Sequence, residues 1–288
     1  MAPVAVSNGL AGLQLKQQQQ QQQQLQDSKI SLTPSHLKFI NAQLQNLEPA
    51  QILQWAILTF PGLYQSTAFG LTGLATLDMV SKLQPQYATA HPLELIFVDT
   101  LHHFPETLAL VDKLKAKYPS AKLHIYKPEN CESVDDFNRH YGESLWDSDE
   151  ASYDFLVKVE PIQRAYEQLG VTATLTGRRK SQGGKRGDLD IVEIEEFTGL
   201  IKINPLANWS FKEVHDYIKK NNVPYNELLD KGYRSVGDWH STSPVAEGED
   251  ERAGRWKGKA KTECGIHETS KFAQFLASKK PQESPAAN

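Results

Sequence analysis

The chain alternates short apolar runs with longer stretches of helical period. Leu93-Glu94-Leu95-Ile96-Phe97-Val98, ended by Asp99-Thr100, is short and apolar enough to predict a buried strand. Strands are likewise expected over residues 63–69, 122–126 and 171–176, the last rich in β-branched residues. Helices are expected between them, over residues 71–83, 104–118 and 155–169. Pro161 marks either a kink or a first turn of the third. Thr33-Pro34-Ser35 opens an earlier helix, and another runs from 47 to 60 before Pro61-Gly62. Residues 192–196 and 200–203 suit an antiparallel extension, and Asn208-Trp209-Ser210 leads into a helix over 211–221.

Strands separated by helices of this length predict an α/β fold, a mainly parallel sheet with helices on both faces. Ligands of such sheets sit beyond the C-terminal strand ends, near the topological switch point. Residues 66–73, 99–106 and 177–187 are therefore where chemistry is expected. Residues 224–268 are Gly-rich and charged, without clear period, and are long enough for a mobile functional tail.

At 288 residues the chain can bury one sizeable core. Its formal charge of -4 argues against a dedicated nucleic-acid binder, and the clustering of its cations suggests a small anionic partner. No apolar run approaches the roughly 18 residues needed to cross a bilayer, and no secretory signal is evident. Two cysteines in dissimilar settings form no disulfide framework, so a reducing cytoplasm is expected. Residues 1–28, with uninterrupted glutamine from Gln17 to Gln24, read as a disordered extension. Residues 29–241 are expected as the α/β domain and 242–288 as the tail.

Four pieces could carry chemistry. Ser66-Thr67-Ala68-Phe69-Gly70-Leu71-Thr72-Gly73 follows a strand and opens a helix, so its backbone N–H groups could cradle an anion. It lacks the Gly-Lys-Ser/Thr ending of a Walker sequence, and a plain strand-turn-helix corner fits it equally. The second piece, Gly177-Arg178-Arg179-Lys180 through Arg186-Gly187, mixes cations and glycines after a strand. That suits phosphate or sulfate oxygens, or else a solvated basic loop. The third is Lys261-Thr262-Glu263-Cys264-Gly265-Ile266-His267, preceded by Arg252, Arg255, Lys257 and Lys259. Nearby cations lower a thiol's pKa from roughly 8.5 toward neutrality, favouring nucleophilic thiolate. A structural cysteine near a solvated tail is the plainer alternative. Cys131, the fourth, lies among acids and is expected to be structural. His102-His103 are adjacent and diverge, so metal ligation looks poor.

Together these pieces resemble the sulfonucleotide reductases. Lys-Thr-Glu-Cys264-Gly-Ile-His267, the 66–73 turn, Phe97-Val98-Asp99-Thr100 with Phe104-Pro105-Glu106-Thr107, and Lys158-Val159-Glu160-Pro161 occur in that family's order. The likeness runs from about Trp55 to Glu268 and is strongest to fungal members, down to Gly254-Arg255-Trp256-Lys257-Gly258-Lys259. It implies a Rossmann-like adenine nucleotide alpha-hydrolase (PP-loop) fold. Members acting on adenylyl sulfate carry four cysteines that hold a [4Fe–4S] cluster. The matching positions here are Tyr153, Asp154, Asp238 and Ser241, none of which can supply thiolate. The resemblance therefore implies no cluster and the 3′-phosphorylated substrate, phosphoadenylyl sulfate (PAPS).

The resemblance further implies a site. Ser66, Thr67, Phe69, Gly70, Gly73, Asp99 and Thr100 would hold the nucleotide. Lys158, Arg178 or Arg179, Arg252, Arg255, Lys257 and His267 would surround the phosphosulfate, and His267 would be catalytic beside Cys264. Cys264 would attack sulfur, and with one competent cysteine the chain would need a dithiol partner such as thioredoxin. Family members are commonly homo-oligomers, which implies a dimer, and they serve sulfate assimilation toward cysteine and methionine. The rival readings are a cluster-free adenylyl-sulfate reductase, an ATP-using PP-loop enzyme and a catalytically dead nucleotide-binding regulator. Against the second, the turn reads Ser-Thr-Ala-Phe-Gly rather than Ser-Gly-Gly-x-Asp-Ser. If substrate orders the tail, saturating adenosine 3′,5′-bisphosphate should slow alkylation of Cys264; an unchanged alkylation rate would refute tail closure.

Overall fold

The computed structural model describes residues 30–86, 92–195, 198–258, 261, 263 and 265–267. Residues 1–28, Cys264 and the side chain of His267 fall outside what it describes.

Strand β1 (Leu63–Ser66) lies mid-sheet, flanked by β2 (Glu94–Val98) and β4 (Ala173–Leu175). β3 (Leu123–Tyr126) is one edge; β6 (Ile201–Ile203) and β5 (Val192–Ile194) complete the other side. The order is β3-β2-β1-β4-β6-β5, with every pairing parallel except β5 on β6. Direction of winding reverses between β1 and β4, which makes the C-terminal ends of those two strands the switch point.

Both faces of the sheet are covered, and side chains of β2 show it by their alternation. Leu95 and Phe97 enter the main core, whereas Ile96 and Val98 pack with Ile162 and Ala165 on the opposite face. The main core joins the sheet to helices α1 (Pro34–Leu44), α2 (Pro49–Thr59), α3 (Leu71–Leu83), α4 (Pro105–Lys117) and α9 (Phe211–Lys220). Helix starts follow local chemistry. The Thr33 hydroxyl accepts from His36 N–H at the head of α1, and Ser210 with Glu213 closes a capping box on α9.

The strand expected over 63–69 stops at Ser66. Thr67 Oγ1 accepts the Phe69 N–H at 2.9 Å, and Phe69 takes φ +55°, which turns the chain out of the sheet before α3. Helices α5 (Val134–Tyr141) and α6 (Leu145–Ser148) contribute Phe137, Leu145 and Trp146 to a small satellite cluster with Cys131, Tyr153 and Val157. The helix expected over 155–169 begins earlier and in pieces. α7 (Glu150–Asp154) runs into a π turn (Phe155–Val159) and then α8 (Glu160–Gln168). Glu160 N–H reaches back to Phe155 O, and Pro161, which has no N–H to give, follows in the first turn of α8. Residues 224–258, unassigned from sequence, wrap the strand ends, with Asp238, Thr242, Glu251 and Trp256 buried. Two isolated bridges, His103 to Asp238 and Thr242 to Arg255, pin that wrap. No helix among the described residues is long and apolar enough to cross a membrane.

Asp78 on α3 staples three helices. It accepts from Tyr118 (2.9 Å), Tyr217 (2.8 Å) and Lys82 (2.5 Å). Burial opposes its ionisation, but those donors outweigh burial and hold its carboxyl below the usual range. Asp78→Ala should lower the unfolding free energy by about 2–4 kcal/mol, read from urea titration. Because its folded pKa is depressed, that contribution is present at neutral pH. It should fade as pH falls below about 4.

Candidate active site

A cleft of about 250 Å³ opens at the switch point, floored by residues 66–73 and walled by the turn after β4 and the wrap from 233 to 256. α3 is 13 residues long, and its N-terminus, with Gly70 as N-cap, faces this space. N–H groups of a first helical turn have no intrahelical acceptor and favour an anion. Gly73 is dictated by packing: a Cβ there would sit 2.7 Å from Thr67 Oγ1. Phe69 is buried with its ring 5.2 Å from that of Phe97, so this strained residue is held by the core while its backbone bounds the cleft.

Lys158, from the π turn, lies between two buried carboxylates. Its Nζ is 3.0 Å from Asp154 Oδ1 and 2.8 Å from Asp238 Oδ2. Asp238 also accepts from Thr100 Oγ1 (2.6 Å) and the Tyr153 hydroxyl (3.2 Å), and His240 Nε2 is 3.0 Å from that hydroxyl. Burial pushes against ionisation of Asp238, but Lys158 foremost holds its carboxyl far below the usual range. Burial and the adjacent carboxylate push the Tyr153 phenol well above its ordinary value, so it stays a donor.

The arginines of the turn after β4 are committed to acids. Arg178 pairs with Glu193. Arg179, 2% exposed, presents both terminal bonds of its Nη2 to Glu251 at 2.7 and 2.8 Å and donates to Thr72 Oγ1 at 2.9 Å. Arg186 forks onto Glu263 at 2.6 and 2.7 Å. On the opposite wall Arg252 and Arg255 flank the buried Trp256 ring, 5.6 and 4.4 Å from its centre. Gly237 makes room for Arg255, since a Cβ there would meet its Nη2 at 2.4 Å.

Of the residues singled out from sequence, Ser66, Thr67, Phe69, Gly70, Gly73, Thr100, Lys158, Arg178, Arg179, Arg252 and Arg255 all line the cleft. Asp99 and Lys257 are not among its lining residues. Asp99 Oδ1 accepts the Leu101 N–H at 2.9 Å, and Lys257 is exposed. Ile266, two residues past Cys264, lines the cleft and packs with Ile96 and Val98. Sequence reasoning missed the carboxylates Glu251 and Glu263 and the hub at Asp238. Their partners lie 72, 77 and up to 138 residues away, beyond any local pattern. Cys131 is buried against Phe137, Tyr153 and Val157; burial, then Asp136 and Glu132, push its thiol up, consistent with a structural role.

The family described as the phosphoadenosine phosphosulfate reductase domain matches residues 62–244. This chain belongs to the phosphoadenosine phosphosulfate reductase family. The Emericella nidulans phosphoadenosine phosphosulfate reductase is 60% identical over 252 residues, covering 86% of this chain and 80% of that protein. The Saccharomyces cerevisiae reductase of the same name is 59% identical over 254 residues, covering 87% and 96%. A crystal structure of phosphoadenylyl-sulfate reductase from Candida auris, a phosphate complex, is 56% identical, with a TM-score of 0.69, covering 75% of this chain and all of that one. FMN adenylyltransferase of Candida glabrata, 15% identical with a TM-score of 0.51 and covering 86% and 85%, shares the fold alone. The PP-loop-type fold expected from the resemblance is thus the fold of this reductase family.

Removing one partner of a buried ion pair costs about 3–5 kcal/mol. Asp238→Ala should destabilise the chain on that scale at pH 7, read by chemical denaturation. Since Asp238 is held ionised, the acid limb of wild-type stability below about pH 4 should be flatter in Asp238→Asn.

Proposed function

We propose that this chain reduces PAPS to sulfite and adenosine 3′,5′-bisphosphate, with Cys264 as nucleophile and a dithiol protein of the thioredoxin kind as reductant. The observation that carries the reading is a cleft at a helix N-terminus, rimmed by Lys158, Arg252 and Arg255, in a chain of this reductase family. A polyanionic nucleotide suits that field, and the segment holding Cys264 returns to it through Ile266.

In the first step the Cys264 thiolate attacks the sulfonate sulfur. The bond from sulfur to the phosphate oxygen breaks, and adenosine 3′,5′-bisphosphate leaves with the electron pair. Cations of Lys158, Arg252 and Arg255 stabilise charge growing on that oxygen, and His267 takes part in holding the phosphosulfate. Cys264 then carries an S-sulfonate. In the second step a thiolate of the reductant attacks the Cys264 sulfur and expels sulfite. The reductant's second thiol clears the mixed disulfide and regenerates Cys264. Sulfur gains two electrons, and the dithiol becomes a disulfide.

No cluster enters this scheme. Tyr153, Asp154 and Asp238 spend their polar atoms on one another's partners around Lys158, and a serine completes the set at 241. Oxygen ligands of this kind do not replace four thiolates. Two successive partners, nucleotide and protein, require residues 242–268 to close and then release, which is the sense in which they form a distinct tail. A dimer in the cytoplasm, within sulfate assimilation, completes the proposal.

Sulfite release from PAPS with reduced thioredoxin, beside intact-mass analysis without it, tests the reading. One sulfonate adduct on Cys264, absent in Cys264→Ser along with all turnover, is expected. Turnover of adenylyl sulfate instead would overturn the substrate assignment. No adduct and no sulfite from either would overturn the reaction.

A further inference from the structure

Glu263 is an odd residue to find beside a site for a polyanion. Its carboxylate is buried, and the residue borders Cys264 directly. A lone acid there would repel the nucleotide and weaken capture. It is not alone, because Arg186 Nε and Nη2 donate to its two oxygens at 2.6 and 2.7 Å, and Arg252 stands 3.6 Å away. Parallel two-bond geometry of this kind fixes orientation as well as distance. The remaining Arg186 nitrogen, Nη1, donates to Gln182 Oε1, and that same oxygen accepts the Arg179 N–H at 3.0 Å. Arg186 is thereby tied to the turn that Arg179 anchors on α3 through Thr72. Its guanidinium faces an internal acid with the fork that sequence alone would assign to substrate oxygens.

Two further contacts hold the same segment. Lys261 pairs with Asp154, the carboxylate that also holds Lys158, and Ile266 sits among Ile96, Val98 and Ile162. These points hold described residues on either side of position 264. Consecutive Cα atoms are 3.8 Å apart across a trans peptide, so whatever pins Glu263 limits where Cys264 can go.

We infer that Arg186 and Glu263 form a positioning pair that fixes the chain at the residue before Cys264, with Arg186 serving the tail rather than the nucleotide. The inference rests on the reading of Cys264 as the nucleophile. Burial opposes ionisation of Glu263, but Arg186 and then Arg252 outweigh it, so the tether is charged at neutral pH. On this reading Glu263 is a positioning residue that acts through Cys264.

A double-mutant cycle on the full chain separates this from direct substrate binding. Glu263→Gln, Arg186→Gln and the double variant are compared for single-turnover sulfonate transfer to Cys264 at saturating PAPS, without thioredoxin. A misplaced nucleophile should slow transfer by about 10- to 100-fold in each single variant. The double variant should be no slower than the worse single, since one pair is lost once. Affinity for adenosine 3′,5′-bisphosphate should stay within about threefold in all of them. Multiplying effects, or a loss in Arg186→Gln that lies wholly in nucleotide affinity, would overturn the inference and make Arg186 a substrate ligand. A transfer rate unchanged in Glu263→Gln would overturn it as well.

Hydrogen exchange of the substrate-free proteins guards against two confusions. Peptides spanning 261–267 should exchange faster in the variants, while those of β1, β2 and β4 stay as in wild type. Unchanged exchange at 261–267 would overturn the tether even if wild-type chain formed no adduct, a result that would separately defeat the catalytic reading. Should either Gln variant fail to fold, Arg186→Lys keeps the charge and loses the fork, and it should show the same slowing in weaker form.

Discussion

Asp238 carries a charge where water does not reach, and much of the site is arranged around answering it. Taking a carboxylate out of water is costly unless opposite charge and hydrogen bonds meet it. Lys158, Thr100 and Tyr153 do so from two separate stretches of chain. Thr100 follows β2, Tyr153 and Lys158 belong to the broken helix, and Asp238 comes from the wrap beyond α9. Meeting this one charge fixes how the wrap closes over the strand ends. It also fixes where Lys158 can stand.

The π turn is the local counterpart of that constraint. Lys158 and Asp154 are four residues apart, and Lys158 stands in the widened turn that leads into α8. Pro161 cannot donate an N–H, and a longer-period turn before it lets the helix continue without the clash a regular interior proline makes. Backbone economy and site geometry are thus met by the same irregularity. Phe69, Leu101 and Trp256, all at positive φ, lie respectively after β1, after β2 and in the wrap. Such conformations persist only where packing over-determines them. The 3%-exposed Phe69 and 4%-exposed Trp256 meet that condition.

Charge is spent inside the protein before any is offered outward. Arg178, Arg179 and Arg186 each face an internal glutamate, and Lys158 faces two aspartates. A cleft with this much positive charge would repel itself without such partners. The paired arrangement keeps the turn after β4 and the π turn rigid. Rigid walls matter for a reaction whose nucleophile arrives on a separate segment, because small errors in placement are expensive in rate.

What the sequence determined by itself is the part governed by neighbours in the chain. Apolar blocks such as 93–98 announce strands because a short buried segment has little room for polarity. The interval lengths between them announce helices and hence a parallel sheet, and α3 begins and ends where its pattern does. The Cys264 motif and the missing cluster thiolates were equally legible, since both are matters of residue identity. Tertiary structure decided the partners. Arg179 and Arg186 look in sequence like a clamp awaiting an anion, and only folding brings Glu251 and Glu263 onto them from more than 70 residues away. Asp238 reads as one charge in a polar stretch until β2 and the π turn enclose it. Burial and long-range pairing depend on the whole packing of the chain, and no local pattern encodes them.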